Sequence, residues 1–319
     1  MIVRFWGTRG SIPVALTSAD IRRKLVAALV SAAGRHLDTP AKAEAFVDHE
    51  LDFAVSRTFG GNSSCVELDA GSGDYVLCDL GSGVRSFGNH VLATRGPGTP
   101  QTFHIFMSHL HWDHIMGFPF FTPAYIPGNR LRIYGCHSVM EEALRRQHGP
   151  PSFPVEFSQL GANIEFVRLE PERPYDVAGY RVTAKLQRHG GDSYAYRFER
   201  DGKVVVYSTD SEHKLDAEAE TDAFVAFFRG ADLVIFDAMY SLADAISVKA
   251  DWGHSSNVVG VELCQLAGAR HLCMYHHEPI YDDEKIAAVL RETRRLEEIT
   301  RRDTRLEVSA AYDGMEVVL

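Results

Sequence analysis

Between the apolar runs Phe103-His104-Ile105-Phe106-Met107 and Gly117-Phe118-Pro119-Phe120-Phe121 stands the segment Ser108-His109-Leu110-His111-Trp112-Asp113-His114. It places three imidazoles and a carboxylate within six positions. So much polar side chain between apolar flanks is costly to bury without a cation to organise it. His109 and His111 are two residues apart, so a strand end or tight turn can aim both at one point. Asp113 and His114 stand one step further round the turn and reach a second point close by. The pattern reads as half of a two-metal hydrolytic site, and the apolar flanks outweigh the alternative of a solvated His-rich loop.

Such a site needs further ligands, and four residues share one local form, a β-like run that ends on a polar side chain. His189 follows Val182-Thr183-Ala184-Lys185-Leu186 and precedes Gly190-Gly191. Asp210 follows Val204-Val205-Val206-Tyr207-Ser208-Thr209, Asp237 follows Leu233-Val234-Ile235-Phe236, and His276 follows Leu272-Cys273-Met274-Tyr275. Residues just past the ends of strands in one sheet collect along one edge, where ligands can converge. Asp210 is the natural bridge, because a carboxylate can give one oxygen to each of two metals. His277 adjoins His276 and would point the other way along a strand, which leaves open which of the two is the last ligand. His254, in Gly253-His254-Ser255-Ser256, lies at a loop-to-helix junction and is placed to deliver a proton rather than to bind metal. His36, His49, His90, His137, His148 and His213 read as surface residues.

The strand candidates are Ile2–Phe5, Ser64–Leu68, Tyr75–Leu77 and Phe103–Met107 in the first half. In the second they are Arg181–Leu186, Tyr194–Phe198, Val204–Tyr207, Leu233–Phe236, His271–Tyr275 and Met315–Leu319. Helices are expected at Asn257–Leu266, capped by Ser255 and Ser256 and stopped by Gly268, and at Asp283–Ile299. Strands mixed with helices in both halves predict an α/β chain of two sheets packed face to face with helices outside. No Pro- or Ser-rich linker divides it, so a single domain over 1–319 is expected. Ser18–Ala54 reads as a helical insertion, with a helix at Ile21–Ala33 and a second one capped by Thr39 with Pro40 at its first position. It would be a surface hairpin, a lid or a dimer contact. Thr122–Leu160 reads as a second insertion, an ordered loop beside the metal-site turn, with Tyr125 and Phe153 as pocket wall or core.

The five cysteines are scattered through apolar runs without a Cys-x-x-Cys pair, and read as reduced core thiols of a cytoplasmic protein. No stretch approaches the length of a membrane span, and Met1–Gly7 is too soon broken by glycine for a secretory signal. A net charge of −10, from 33 Lys and Arg against 43 Asp and Glu, lowers the case for a protein that grips long nucleic acid. A small anionic substrate stays open, because bound metals supply positive charge locally.

Together with Gly7-Thr8-Arg9-Gly10-Ser11, Gly60-Gly61-Asn62-Ser63-Ser64 and Ser208-Thr209-Asp210, these motifs resemble the metallo-β-lactamase-fold hydrolases. The similar branch includes ribonuclease Z, the phosphonate-operon cyclic phosphodiesterase and bacterial cyclic-nucleotide phosphodiesterases. The resemblance covers nearly the whole chain apart from Ser18–Ala54. It implies an αββα sandwich of two mixed β-sheets with the metals at one edge. It implies one metal on His109, His111, His189 and Asp210, and another on Asp113, His114, Asp210 and His276. Two divalent ions are implied, zinc by default and manganese as the alternative, with a bridging hydroxide as nucleophile. His254 would protonate the leaving group, and Asp237 would orient it.

The leading reading is a phosphodiesterase for a small phosphodiester, with a cyclic nucleotide as the expected substrate and a homodimer as the expected assembly. An RNA-processing endonuclease of the ribonuclease Z type is the alternative, and the acidic balance and the absence of a basic Gly/Pro-containing arm count against it. A lactonase or thioesterase would use the same nucleophile. A binding protein without turnover would more often have lost a ligand.

Overall fold

Strands β10 (Lys203–Ser208), β11 (Leu233–Asp237) and β12 (His271–Tyr275) are apolar at almost every position, and β11 and β12 are buried along their whole length. A strand with both faces buried belongs in the middle of a parallel sheet covered on both sides. The structure, a computed structural model, describes residues 1–213, 217–241 and 253–319, and there these strands pair in parallel with one another and with β13 (Glu307–Ala310). Antiparallel strands β9 (Ser193–Arg200), β8 (Tyr180–Gln187) and β7 (Pro174–Val177) extend the sheet on the other side, in the order β13-β12-β11-β10-β9-β8-β7.

The first half repeats this plan. Strands β3 (Tyr75–Cys78), β4 (Thr102–Phe106), β5 (Arg130–Gly135) and β6 (Asn163–Arg168) are parallel. They continue through antiparallel β2 (Cys65–Asp69), β1 (Ile2–Gly7) and β14 (Glu316–Val318) into the second seven-stranded sheet, β14-β1-β2-β3-β4-β5-β6.

Alternation along the strands sorts side chains into three apolar layers. Phe5, Val66, Phe106 and Tyr134 of one sheet meet Tyr196, Phe198, Tyr207, Ile235 and Tyr275 of the other. Phe106 is central to that layer. Its ring stacks on Tyr134 at 4.8 Å and meets Phe198 and Tyr196 edge-on at 5.1 and 5.4 Å. Phe103, Ile105 and Leu131 face outward against the helix Gly83–Arg95. Val206, Val234 and Leu272 face the helices Glu218–Phe228, Asn257–Ala267 and Asp283–Thr300 on the opposite side. Two mixed sheets thus lie face to face with helices on both outer surfaces. Ser256 caps the Asn257–Ala267 helix through Val259 N–H, and Gly268 ends it at φ +62°.

Two expectations change. Thr122–Leu160 is more than an inserted loop, because β5 lies within it and sits between β4 and β6. Its alternation is masked by Arg130 and Arg132, which leave only Leu131, Ile133 and Tyr134 to mark the buried positions. Tyr125 packs against that outer apolar layer, with its hydroxyl donating to the Pro119 carbonyl at 2.6 Å. His148 and His213 are buried rather than superficial. His148 is ringed by Phe118, Phe153 and Phe157 at 5.2–5.6 Å. His213 stacks on Phe236 at 5.5 Å, and burial pushes it down to about 4, so it packs as a neutral ring.

Residues 18–54 carry helices at Ser18–Ser31, capped by Thr17, and at Pro40–His49, capped by Thr39. The first buries none of its residues and is tied down by Lys24, whose ammonium lies 2.6 Å from Asp283. All five cysteines are buried and free. Among the described residues no helix is long and apolar enough to cross a membrane.

Phe106→Ala would leave a cavity between the sheets. The expected cost is about 3–5 kcal/mol, the range for removing a packed ring. Urea unfolding measures it, and a loss below about 1 kcal/mol would show that the sheets close over the gap.

Candidate metal centre

The ends of the parallel strands supply the site. Asp79 directly follows β3, His109 lies just past β4, Asp210 just past β10, Asp237 closes β11, and His276 directly follows β12. Three of these residues leave the extended conformation abruptly, at φ +62° for Asp79, +41° for Asp210 and +60° for His276. Left-handed backbone at a non-glycine residue costs about 1–3 kcal/mol and persists only where its surroundings over-determine it. Here the turn swings each side chain off the strand and into the space between the sheet edges.

Four ligand atoms come together there, Asp113 Oδ2, His114 Nε2, Asp210 Oδ1 and His276 Nε2. His114 Nε2 lies 3.2 Å from both carboxylate oxygens, and His276 Nε2 lies 3.1 Å from Asp113 and 3.2 Å from Asp210. The two imidazole nitrogens are 3.3 Å apart. Five of the six distances among these atoms are thus 3.1–3.3 Å, and a regular tetrahedron of that edge has its centre about 2.0 Å from each corner, the bond length of zinc to imidazole nitrogen or carboxylate oxygen. The residues therefore fit a divalent ion.

Beside them, His109, His111 and His189 form a second group whose ligand atoms lie within 4.8 Å of one another. His189 Nε2 is 3.1 Å from His111 Nδ1. Among the described residues His109 Nε2 is buried without a hydrogen-bond partner, 3.6 Å from Asp210 Oδ2. A buried imidazole nitrogen left unpaired is costly, and a metal at that point would satisfy it. Asp210 turns one oxygen toward each group.

The surrounding bonds fix which nitrogen each ring offers. Asp79 Oδ2 lies 2.8 Å from His114 Nδ1, and the Asp79 carboxylate also accepts from Ser108 N–H, Ser108 Oγ and Tyr207 Oη at 2.6–2.8 Å. With its Nδ1–H donated to Asp79, His114 turns the Nε2 lone pair inward. His189 donates Nδ1–H to the Gly253 carbonyl at 2.7 Å, with the same result. Ser11 N–H holds Asp113 Oδ2 at 2.8 Å, and Thr209 Oγ1 donates to Asp210 Oδ1 at 2.6 Å. Gly10 backs onto the His276 ring, where a Cβ would sit 2.6 Å from Nδ1, so only glycine fits.

Electrostatics agree with a ligand role. Burial, reinforced by neighbouring imidazoles, holds His109 well below its ordinary value, and burial and His189 lower His111. Both rings are therefore neutral, as ligands must be. Burial opposes the charge on Asp113 and Asp210, yet the imidazoles beside them outweigh it and keep both carboxyls well below the usual range. Burial likewise opposes a charged His114, but Asp113, Asp210 and Asp79 push it up, which marks the pocket as one that demands positive charge.

The structure brings together His109, His111, Asp113, His114, His189, Asp210 and His276, and places His254 and Asp237 against them. His254 Nδ1 is 2.9 Å from Asp237 Oδ2, and its ring lies 5.0 Å from His189 and 5.2 Å from His276. Asp237 also accepts from Ser211 N–H at 3.0 Å and Met239 N–H at 3.1 Å. Burial disfavours the His254 cation, but the Asp237 carboxylate outweighs it and pushes the ring up to about 9. Of the adjacent pair, His276 enters the cluster. His277 turns away and donates Nε2–H to the Ala311 carbonyl at 2.8 Å, and burial pushes it down to about 3. Sequence reasoning missed Asp79 and the Ser11 amide. Asp79 carries the same signal as the others, an acidic residue closing an apolar strand.

The sequence model of a family described as the β-lactamase superfamily domain matches residues 74–277. Ribonuclease BN of Escherichia coli is 27% identical over 259 residues, an alignment that spans 68% of this chain and 83% of the ribonuclease. The crystal structure of YhfI, a metallo-β-lactamase-fold protein of Bacillus subtilis, superposes with a TM-score of 0.65 at 18% identity, over 99% of this chain and 98% of YhfI. A diphosphatase of the PhnP family gives 0.58 at 18% identity, over 100% and 97%. The two mixed sheets flanked by helices are the metallo-β-lactamase fold.

Asp79→Ala should weaken divalent-metal binding about 10–100-fold, the usual effect of removing a carboxylate that orients a ligating imidazole. Competition with a chromogenic chelator measures it. Wild-type affinity in the variant would show that His114 needs no such support.

Proposed function

The chain belongs to the β-lactamase superfamily, and we propose that within it this protein is a metal-dependent phosphodiesterase for a small phosphodiester, most simply a cyclic nucleotide. The observation that carries the reading is the His254–Asp237 pair, set against both ligand groups. His109, His111 and His189 with Asp210 Oδ2 would hold one ion, and Asp113, His114 and His276 with Asp210 Oδ1 the other. Two bound ions would lower the pKa of water from about 15.7 toward about 7 and neutralise a phosphate's charge. The spacing of the four-atom group favours zinc over the larger manganese ion.

His254 does the rest. Its Nδ1 is committed to Asp237, which fixes the ring and stabilises its protonated form. Nε2 then carries the proton that an alkoxide leaving group needs. A thiolate leaves without such help, so a thioesterase would have no use for the pair. The similarity to a ribonuclease and a diphosphatase supports chemistry at phosphorus rather than at an acyl carbon. It also favours ribonuclease Z-like RNA processing as the second reading, against which the net charge of −10 stands.

The assembly we propose is a cytoplasmic homodimer. The Ser18–Ser31 helix exposes Ile21, Leu25, Leu29 and Val30, a stripe that a second copy would cover. Sedimentation of the Leu25→Asp/Leu29→Asp double variant should show a monomer where the wild type sediments as a dimer. A monomeric wild type rejects this assembly.

His254→Ala should keep its metal and lose about 10²–10⁴-fold in kcat on diesters with alkoxide leaving groups, with a much smaller loss on p-nitrophenyl esters. Equal losses on both substrate types would refute the proton-donor role. A panel of cyclic mononucleotides, bis-nitrophenyl phosphate, a precursor tRNA and a homoserine lactone, run with zinc and with manganese, separates the readings. Turnover confined to the tRNA or to the lactone would displace the small-diester assignment.

A further inference from the structure

The metal centre is closed on one side and open on the other. His114, Asp210 and His276 are buried, whereas His111 is exposed, so a substrate reaches the ions past His111. The next residue is Trp112, which at 82% exposure is the most exposed large apolar side chain among the described residues. We propose that Trp112 is a stacking platform for a planar aromatic group of the substrate, a nucleobase. The proposal rests on the phosphodiesterase reading and names the substrate class of the same site.

Trp112 is exposed without being loose. It begins the short helix Trp112–Ile115, and its carbonyl accepts from Met116 N–H at 2.7 Å. The peptide units that follow are pinned as well, since His114 O accepts from Leu80 N–H at 2.8 Å and Asp113 is held by Ser11 N–H. The flanking residues His111 and Asp113 belong to different ligand groups, so the Trp112 backbone is held between residues of both. Only its two side-chain torsions remain to be fixed on binding, which makes a large aromatic contact cheap in entropy. Among the described residues no other ring packs against it.

In a nucleoside phosphate the base is joined to phosphorus through a single sugar, and Trp112 adjoins two of the ligands in sequence. Other exposed apolar side chains lie near residues of the centre in the sequence. Ile12, exposed at 58%, follows the serine whose amide holds Asp113, and Ile280, at 78%, lies four residues past His276. Phe120, also exposed, meets Phe153 edge-on at 5.5 Å in the turn that follows the helix. With the ions to neutralise the phosphate, the exposed indole offers the rest of the substrate a flat aromatic face. Stacking on such a face tolerates any base.

Adenosine 5′-monophosphate and methyl phosphate share a phosphate and differ in the base-bearing group. Titration calorimetry on the zinc-loaded full chain should show the nucleotide binding more tightly. In Trp112→Leu that margin should shrink about tenfold, equivalent to about 1.4 kcal/mol of stacking. Trp112→Phe should keep most of it, because it restores a flat ring. Each variant is first matched to wild type in bound zinc, so that disturbance of His111 or Asp113 is not mistaken for lost stacking. A margin unchanged in Trp112→Leu, or reduced equally by Leu and Phe, overturns the proposal. So does a Trp112-dependent dimer, or Trp112-dependent binding to phosphatidylcholine vesicles, found with no nucleotide margin. The chemistry is read separately with the p-nitrophenyl ester of thymidine 5′-phosphate and methyl p-nitrophenyl phosphate. If wild type cleaves neither while the binding margin depends on Trp112, the phosphodiesterase reading fails and the stacking site stands.

Discussion

Everything in this molecule is arranged around one electrostatic problem. Asp79, Asp113, Asp210 and Asp237 are gathered with His109, His114 and His276 in a space that solvent barely reaches. Buried carboxylates repel one another and lose their hydration, so the set is stable only if positive charge is brought to it. The fold contributes what it can in amide and hydroxyl donors, from Ser11, Ser108, Tyr207, Thr209 and Ser211. The remaining deficit is what a pair of divalent ions would supply. The same deficit accounts for the strained turns at Asp79, Asp210 and His276, where backbone comfort is given up to aim a side chain.

The supporting bonds also tie the two sheets together. Asp79 belongs to the first sheet and orients His114, yet one of its donors is Tyr207 of the second sheet. Tyr275, from the second sheet, donates to the Gly7 carbonyl of the first at 2.7 Å. A ligand set drawn from both sheets requires their edges to stay in register. These bonds fix that register at the end of the sandwich where it matters, while the Phe106 layer supplies the bulk of the adhesion.

How legible this was from the residues depends on the kind of signal. Strands such as Leu233–Asp237 and His271–Tyr275 announce themselves because both faces are buried and no charge interrupts them. Arg130–Gly135 does not, since two arginines share its solvent-facing positions, and Asn163–Arg168 hides in the same way. The candidate ligands were readable because a polar residue after an apolar run is a local pattern. His276 could not be separated from His277 by pattern, because a strand-like alternation gives no hint that the backbone turns left-handed at one of them. Asp79 was legible in principle and overlooked, since the run before it is short. His213 misled because a lone histidine among polar neighbours carries no sign that three phenylalanine rings enclose it.

The division of the ligands along the chain has a consequence for how the centre is built. His109, His111 and His189 come with Asp210 as soon as β10 has formed, but the other group lacks its last imidazole until β12 is in place. Synthesis runs from the N-terminus, but a domain folds as a unit. The ligands of the two groups therefore leave the ribosome at different times, while the centre itself waits on the C-terminal strands. Until β12 is made, Asp113, His114 and the inner oxygen of Asp210 lack the imidazole that completes their group.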